Sequence, residues 1–216
     1  MIKKVASVLT ASRNRHESLL NSLRSLGWPN PEFEVLVAID DDEPQMADYK
    51  KTKDITLLIS ERYGYNQLHR YYNAMAKLAK GDWFLNRNDD SALQNGGWLG
   101  LLKKADASKP LTAQYGSYSP FPLMTKVLYD LIGHFSVEPL VDRFLLGLGY
   151  EAGIHINLGD GVDFTHGLPD DPTKEDKEKA YGMLIGSWPY SPDNPDGVQA
   201  TLKRDKALVS KWYAEH

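Results

Sequence analysis

Two adjacent carboxylates, Asp89 and Asp90, follow the apolar run Trp83 to Leu85 in the stretch GDWFLNRNDDSALQNGGW, with the amides of Asn86 and Asn88 beside them. Hard divalent ions take oxygen ligands, and a strand end that offers a carboxylate to an ion bridging two phosphate oxygens recurs in nucleotide chemistry. The same residues would serve as an ordinary solvated turn. Further acidic clusters at Asp40 to Asp42 and at Asp170 to Asp171 show that such a pair is not diagnostic by itself. The chain has no cysteine, so any metal must be held by oxygen or imidazole, and disulfides and thiolate nucleophiles are excluded.

The elements that would position these groups can be read from periodicity. The first half alternates β-rich runs (KVASVLT, FEVLVAI, ITLLIS and DWFLN) with helical patterns at His16 to Leu26, after Pro44, and at about Tyr65 to Ala79. Leu19, Leu20, Leu23 and Leu26 recur at helical spacing, as do Leu68, Tyr71, Tyr72, Met75, Leu78 and Ala79. Asn14 with Glu17 reads as a capping box, and Gly27 and Gly81 read as helix ends. Alternation of this kind predicts an α/β fold with a mostly parallel sheet flanked by helices. After Trp98 the pattern loosens into a helix (GWLGLLKKAD), a strand (LTAQY), a loop (GSYSPFPLM) and the helical runs TKVLYDLIG and EPLVDRFLLGLG. A strand (EAGIHINL), a polar segment, a charged helix from about Lys174 and a C-terminal helix that packs back on the body complete the chain.

At 216 residues, with 42% hydrophobic and 25% charged, the chain is long enough for one domain. Its longest apolar runs fall well short of the roughly 20 residues of a spanning helix, and no signal-peptide core is seen, so a cytoplasmic protein without a membrane span is expected. A net charge of -4 gives no global field toward nucleic acid. Ligands of open α/β sheets bind beyond the carboxyl ends of the strands. Those ends run into TASRNR, DDDEP, SERYGYN and NRNDDS, and all are polar.

The order and spacing of VASVLTASRNRHESLLNSLRSL, FEVLVAIDDDEP and GYNQLHRYYNAMAKLAKGDWFLNRNDDS resemble the nucleotide-sugar-binding half of GT-A-fold glycosyltransferases. The likeness is greatest to the family 2 group, in its short bacterial and phage form, and covers about the first hundred residues. It implies one GT-A-like domain over 1–216, with a donor half at about 1–98 and an acceptor half at about 99–216 that ends in the C-terminal helix. Thr10, Ser12, Arg13, Asp40 and Asp42 would border the nucleotide, together with Asn66, Arg70 and Asn73 on one polar helix face. The D-x-D motif of the family reads Asn88-Asp89-Asp90 here. Asp90 would contact Mn²⁺ or Mg²⁺, while Asp89, the middle residue, and Asn88, an uncharged departure, would contact the nucleotide-sugar.

The resemblance extends more loosely into the second half. GVDFTHGLPDDPT suggests His166 as a further metal ligand, which suits Mn²⁺ better than Mg²⁺. SVEPLVDRFLLGLG falls where the family places its catalytic base, offering Asp142 first and Glu138 second. Trp98, Tyr115, Tyr118 and Phe121 lie on the acceptor side; packing is the expected role of Phe121, and Trp98 is the candidate sugar contact. The function implied is transfer of a sugar from a nucleoside diphosphate, UDP favoured, to an acceptor hydroxyl with inversion. The rivals are a non-catalytic nucleotide-sugar-binding module of degenerate GT-A fold and a nucleotidyltransferase. The latter should carry a Gly-rich triphosphate loop where TASRNRHE has no glycine.

Overall fold

In the computed structural model, which describes residues 3–116, 121–166 and 197–216, a seven-stranded mixed sheet runs in the order β3-β2-β1-β4-β7-β6-β8. Strands β1 (Ala6–Ala11), β2 (Phe33–Asp40), β3 (Thr56–Ser60) and β4 (Trp83–Asn86) are mutually parallel where they pair. Strand β7 (Leu123–Thr125) lies antiparallel between β4 and β6 (Thr112–Gln114), and β8 (His155–Asn157) pairs in parallel with β6. A small second sheet joins β5 (Ser91–Leu93) to β9 (Phe164–His166).

The apolar runs of β1 and β2 are buried almost throughout, as expected of parallel strands covered on both faces. The four parallel strands are linked in turn by α1 (His16–Ser25), α2 (Met46–Lys51) and α3 (Leu68–Ala76), the last entered through a 3₁₀ turn at Tyr65–Gln67. The second half adds α4 (Trp98–Leu102), α5 (Lys126–Ile132), α6 (Val141–Ala152) and the C-terminal α7 (Gly197–Glu215). Helix α7 packs on α5 and α6, as its periodicity implies, through buried Leu202 and Val209 and a fully buried Asp205. The Asp205 carboxylate is held by Arg204 and lies 3.0 Å from His134 Nε2.

Local expectations failed where a tertiary contact took over. Asn14 adopts a left-handed backbone (φ 52°) and Arg15 becomes the N-cap of α1, so Glu17 stands one position too early for a capping box. Side chains from the end of β2 do that work: Gln45 Oε1 accepts from His16 N at 2.8 Å, and the Glu43 carboxylate accepts from Asn14 N at 3.0 and 3.1 Å. The segment read as a loop before residue 126 contains β7. Helix α3 stops at Ala76, which leaves Leu78 half exposed at 51%. Tyr118 and the charged helix expected from Lys174 lie outside the described residues.

Gly81 precedes β4 because the chain passes hard against β1: a Cβ there would meet the Ala6 carbonyl carbon at 2.3 Å, and Gly81 N donates to Ser7 Oγ at 2.8 Å. Backbone cannot yield as a flexible side chain can. Gly81→Ala is therefore expected to destabilise the protein by about 2–3 kcal/mol in urea unfolding. The control Gly100→Ala, on α4 with nothing within 4 Å, should be neutral or stabilising.

Candidate functional site

The strand order reverses about β1 and β4, and the segments leaving their carboxyl ends meet. Asp89 and Asp90 are only 5% and 7% exposed, so the turn after β4 is not a solvated one. Asp89 Oδ2 accepts from Ser12 Oγ at 2.7 Å, and Asp89 Oδ1 accepts from Arg15 Nη1 at 3.0 Å. The same nitrogen donates to Asp90 Oδ2 at 3.2 Å. Ser12 Oγ also lies 2.7 Å from Tyr49 Oη. Because the serine proton goes to Asp89, the tyrosine donates to the serine. Burial lifts the Asp89 carboxyl above its ordinary range, opposed by the charge of Arg15 and the hydrogen bond from Ser12.

Serines of α1 fix the turn's backbone: Ser18 Oγ donates to the Asp89 carbonyl at 2.8 Å and Ser22 Oγ to that of Asn88 at 3.2 Å. Ser91 Oγ donates to the same Asn88 carbonyl at 2.7 Å. Beneath the turn lies a fully buried Arg87. Its guanidinium sits 4.7 Å from the Phe164 ring centroid and 5.2 Å from that of Phe121, and it donates to Ser22 Oγ and the Ser91 carbonyl. Burial pushes Arg87 down to about 9, with the charge of Asp90 opposing.

A second cluster borders this one. Arg13 donates to Asp40 Oδ2 at 2.8 Å and to both oxygens of Asp42 at 2.6 and 3.1 Å, and its hydrogen bonds hold the Asp42 carboxyl below the usual range. Tyr71 Oη donates to Asp40 Oδ1 and accepts from Tyr63 N at 2.8 Å. The Arg70 guanidinium lies 5.0 Å from the centroid of the Tyr63 ring. Asn66 is exposed in the 3₁₀ turn.

Across the cleft, the loop before α6 is held by Asn73. Its Oδ1 accepts from Phe135 N at 2.7 Å and Ser136 N at 3.1 Å, and its Nδ2 donates to the Ser136 carbonyl at 2.7 Å. This loop carries Glu138, 3% exposed, whose Oε2 has no hydrogen-bond partner among the described residues. Asp142, half-buried, stands in the first turn of α6. Both sides of the cleft act on Tyr72: burial raises its hydroxyl, and the charges of Asp89, Tyr65 and Asp142 raise it further. Asp142 therefore lies at the same end of the sheet as the acidic turn.

The structure thus brings together Ser12, Asp89 and Asp90, with Arg13, Asp40 and Asp42 alongside. Three expected contacts take other roles. Trp98 is 3% exposed, packs edge-on against Phe33 and donates Nε1–H to the Leu26 carbonyl at 3.1 Å, so it is a core residue with no face for a sugar. Tyr115 is also core, and Phe121 packs as expected. Asn73 turns to the 135–136 loop rather than joining Asn66 and Arg70, because α3 begins only at Leu68 and a helical face cannot extend back to Asn66. Thr10 is wholly buried under the site.

The backbone of His166 pairs with Ser91, next to Asp90, but its side chain lies outside the described residues. Among the described residues no three His, Cys, Asp or Glu side chains converge as a metal-binding set. Both oxygens of Asp89 and Oδ2 of Asp90 are engaged by Arg15 and Ser12, so among the described residues the pair does not offer a bridging ion one oxygen from each aspartate. Arg15, Arg87, Tyr49 and Tyr71 were missed in the sequence. The two arginines lie inside the motifs RNR and NRNDD, and that placement was the available signal.

The architecture is the GT-A-like α/β fold found in glycosyltransferases. No family model matches the chain, and no curated protein matches it by sequence. Among solved structures, the mannosyltransferase PcManGT from Pyrobaculum calidifontis, in complex with GDP-Man and Mn²⁺, is similar with TM-score 0.56 at 12% identity, over 100% of this chain and 77% of that one. S. aureus TarS is similar with TM-score 0.55 at 14% identity, and this chain, covered to 93%, spans 43% of its length. TarS 1–349 in complex with UDP gives TM-score 0.50 at 15% identity, over 94% of this chain and 70% of that one. Among the described residues no helix is long and apolar enough to cross a membrane.

Burial pushes the Glu138 carboxyl up to about 7, with Arg143 opposing and Asp142 adding to the rise. A folded-state pKa above the ordinary 4.5 means that the folded protein keeps the proton longer, so stability falls as pH rises between about 4.5 and about 7. Glu138→Gln should remove that fall. Thermal unfolding across pH is expected to give equal Tm values at the acidic end of the window and a higher Tm for the variant at its alkaline end.

Proposed function

We propose that this chain is a glycosyltransferase of the family 2 kind, moving a sugar from a nucleoside diphosphate to an acceptor hydroxyl. The observation that carries this reading is a buried acidic turn at the β1/β4 reversal, with Asp142 near enough that its charge acts, as that of Asp89 does, on the Tyr72 hydroxyl. Residues 1–98 would hold the donor and 99–216 the acceptor. Arg13, Asp40, Asp42 and Arg70 border the nucleotide's place, and UDP is the favoured nucleotide.

Asp142 is the accessible member of the acceptor-side pair and takes the proton from the acceptor hydroxyl. The acceptor oxygen then attacks the anomeric carbon in line as the bond from that carbon to the diphosphate oxygen breaks, which inverts the centre and releases the nucleoside diphosphate. Glu138, buried and protonated longer than an ordinary carboxyl, stands behind Asp142. The fold likeness to nucleotide-sugar enzymes and the glycine-free segment after β1 favour transfer of a sugar over transfer of a nucleotidyl group.

Thermal unfolding with UDP, GDP, dTDP and CDP, each with Mn²⁺ and with chelator, tests the donor site. A ligand at about 100 times its Kd adds roughly 2.7 kcal/mol, or on the order of 5–10 °C here. One nucleotide should give that rise; none doing so in either condition would remove the donor assignment. Once the donor is known, Asp142→Asn should lower kcat by about 10²–10⁴-fold with nucleotide affinity unchanged. Unchanged kcat would remove Asp142 as the base, and binding without any transfer in the wild type would favour the non-catalytic module.

A further inference from the structure

Where an ion bridging Asp89 and Asp90 would be sought, the structure has Arg15. A single nitrogen, Nη1, lies 3.0 Å from Asp89 Oδ1 and 3.2 Å from Asp90 Oδ2, and all three side chains are more than nine-tenths buried. It offsets the mutual repulsion of two carboxylates, which is what a bridging cation does. Asp89's second oxygen is engaged by Ser12. Arg87 acts on Asp90 from beneath, fixed by Ser22, Ser91 and the Phe164 ring. Two guanidiniums thus face two carboxylates, so among the described residues the charges of this cluster balance.

Arg15 is also held at its backbone. It is the N-cap of α1, its carbonyl accepts from Leu19 N at 2.8 Å, and Glu43 and Gln45 brace its neighbours. Withdrawing the arm would leave two buried carboxylates without their counter-charge, a strongly unfavourable state. We propose that Arg15 is an internal counter-cation standing in place of a divalent ion at this acidic strand end, so that a nucleoside diphosphate binds here without one. This rests on the donor-site reading for its second half only. Arg15 is a positioning residue: it sets the charge and geometry of Asp89 and Asp90.

The test uses Mn²⁺ alone, titrated into the intact chain and followed by the EPR signal of the free ion. Wild type should show no saturable binding at Asp89 and Asp90, whereas Arg15→Met, which frees both carboxylates, should bind Mn²⁺ about 10-fold more tightly or better and gain Tm on its addition. Adding Asp89→Asn to Arg15→Met should abolish the gain. Tight Mn²⁺ binding by wild type that Asp89→Asn removes, or no gain in Arg15→Met, overturns the proposal. Should Arg15→Met lose its cooperative melt, Arg15→Gln replaces it: a neutral amide keeps a hydrogen-bond donor but removes the charge, so Mn²⁺ affinity must rise, and no rise overturns the proposal. With a nucleotide that binds, wild-type affinity should be the same in Mn²⁺ and in chelator, and a 10-fold gain with Mn²⁺ counts against Arg15. Failure of every nucleotide refutes the donor reading instead, and leaves the Mn²⁺ result to judge Arg15 by itself.

Discussion

One guanidinium between two buried carboxylates governs this end of the molecule. Two aspartates forced together in a dry turn repel each other and lose hydration, and without an adjacent positive charge the turn would open to water or take up protons. Arg15 answers the charge, Ser12 and the serines of α1 answer the remaining polar atoms, and Arg87 supports the turn from beneath. Because Arg15 is also the first residue of the α1 cap, the helix and the turn cannot be placed independently. The short parallel strands β1 and β4 fix the distance between them.

The second cluster obeys the same constraint in a wetter place. Arg13 spans Asp40 and Asp42 as Arg15 spans Asp89 and Asp90, but Asp42 is open to solvent and Arg13 partly so. Ion pairs of this kind contribute little to stability and are screened by salt, so they rearrange easily when a ligand arrives. The buried pair is costly to disturb. One acidic edge is thus fixed throughout, while in the other the solvent-exposed Asp42 is the adjustable member and Asp40 is held by Arg13 and Tyr71.

Much of this was legible in the sequence. The four parallel strands, their helices and the polar character of every strand end follow from periodicity and from the right-handed logic of α/β chains, and all are present. What failed depended on partners far along the chain. The Asn14/Glu17 box gave way to Glu43 and Gln45, some thirty residues on, and β7 was hidden because three residues beside prolines carry no period. Trp98 could not be assigned to core or cleft by type, since its role is set by Phe33 and the Leu26 carbonyl. The carboxylates were visible at once, but their counter-ions were not. An arginine's destination is a matter of geometry that no spacing rule gives, and nothing in the sequence marks Arg15 and Arg87 as buried until the turn is seen closed around them.

The amide of Asn73 ties α3 to the loop that carries Glu138 through three hydrogen bonds. Two residues back on the same helix, Tyr71 holds Asp40. One short rigid rod therefore has a grip on each bank of the cleft. A helix of nine residues, about 14 Å long, ties the segment after β2 to the loop before α6. The two halves of the chain thus share one structural member, α3.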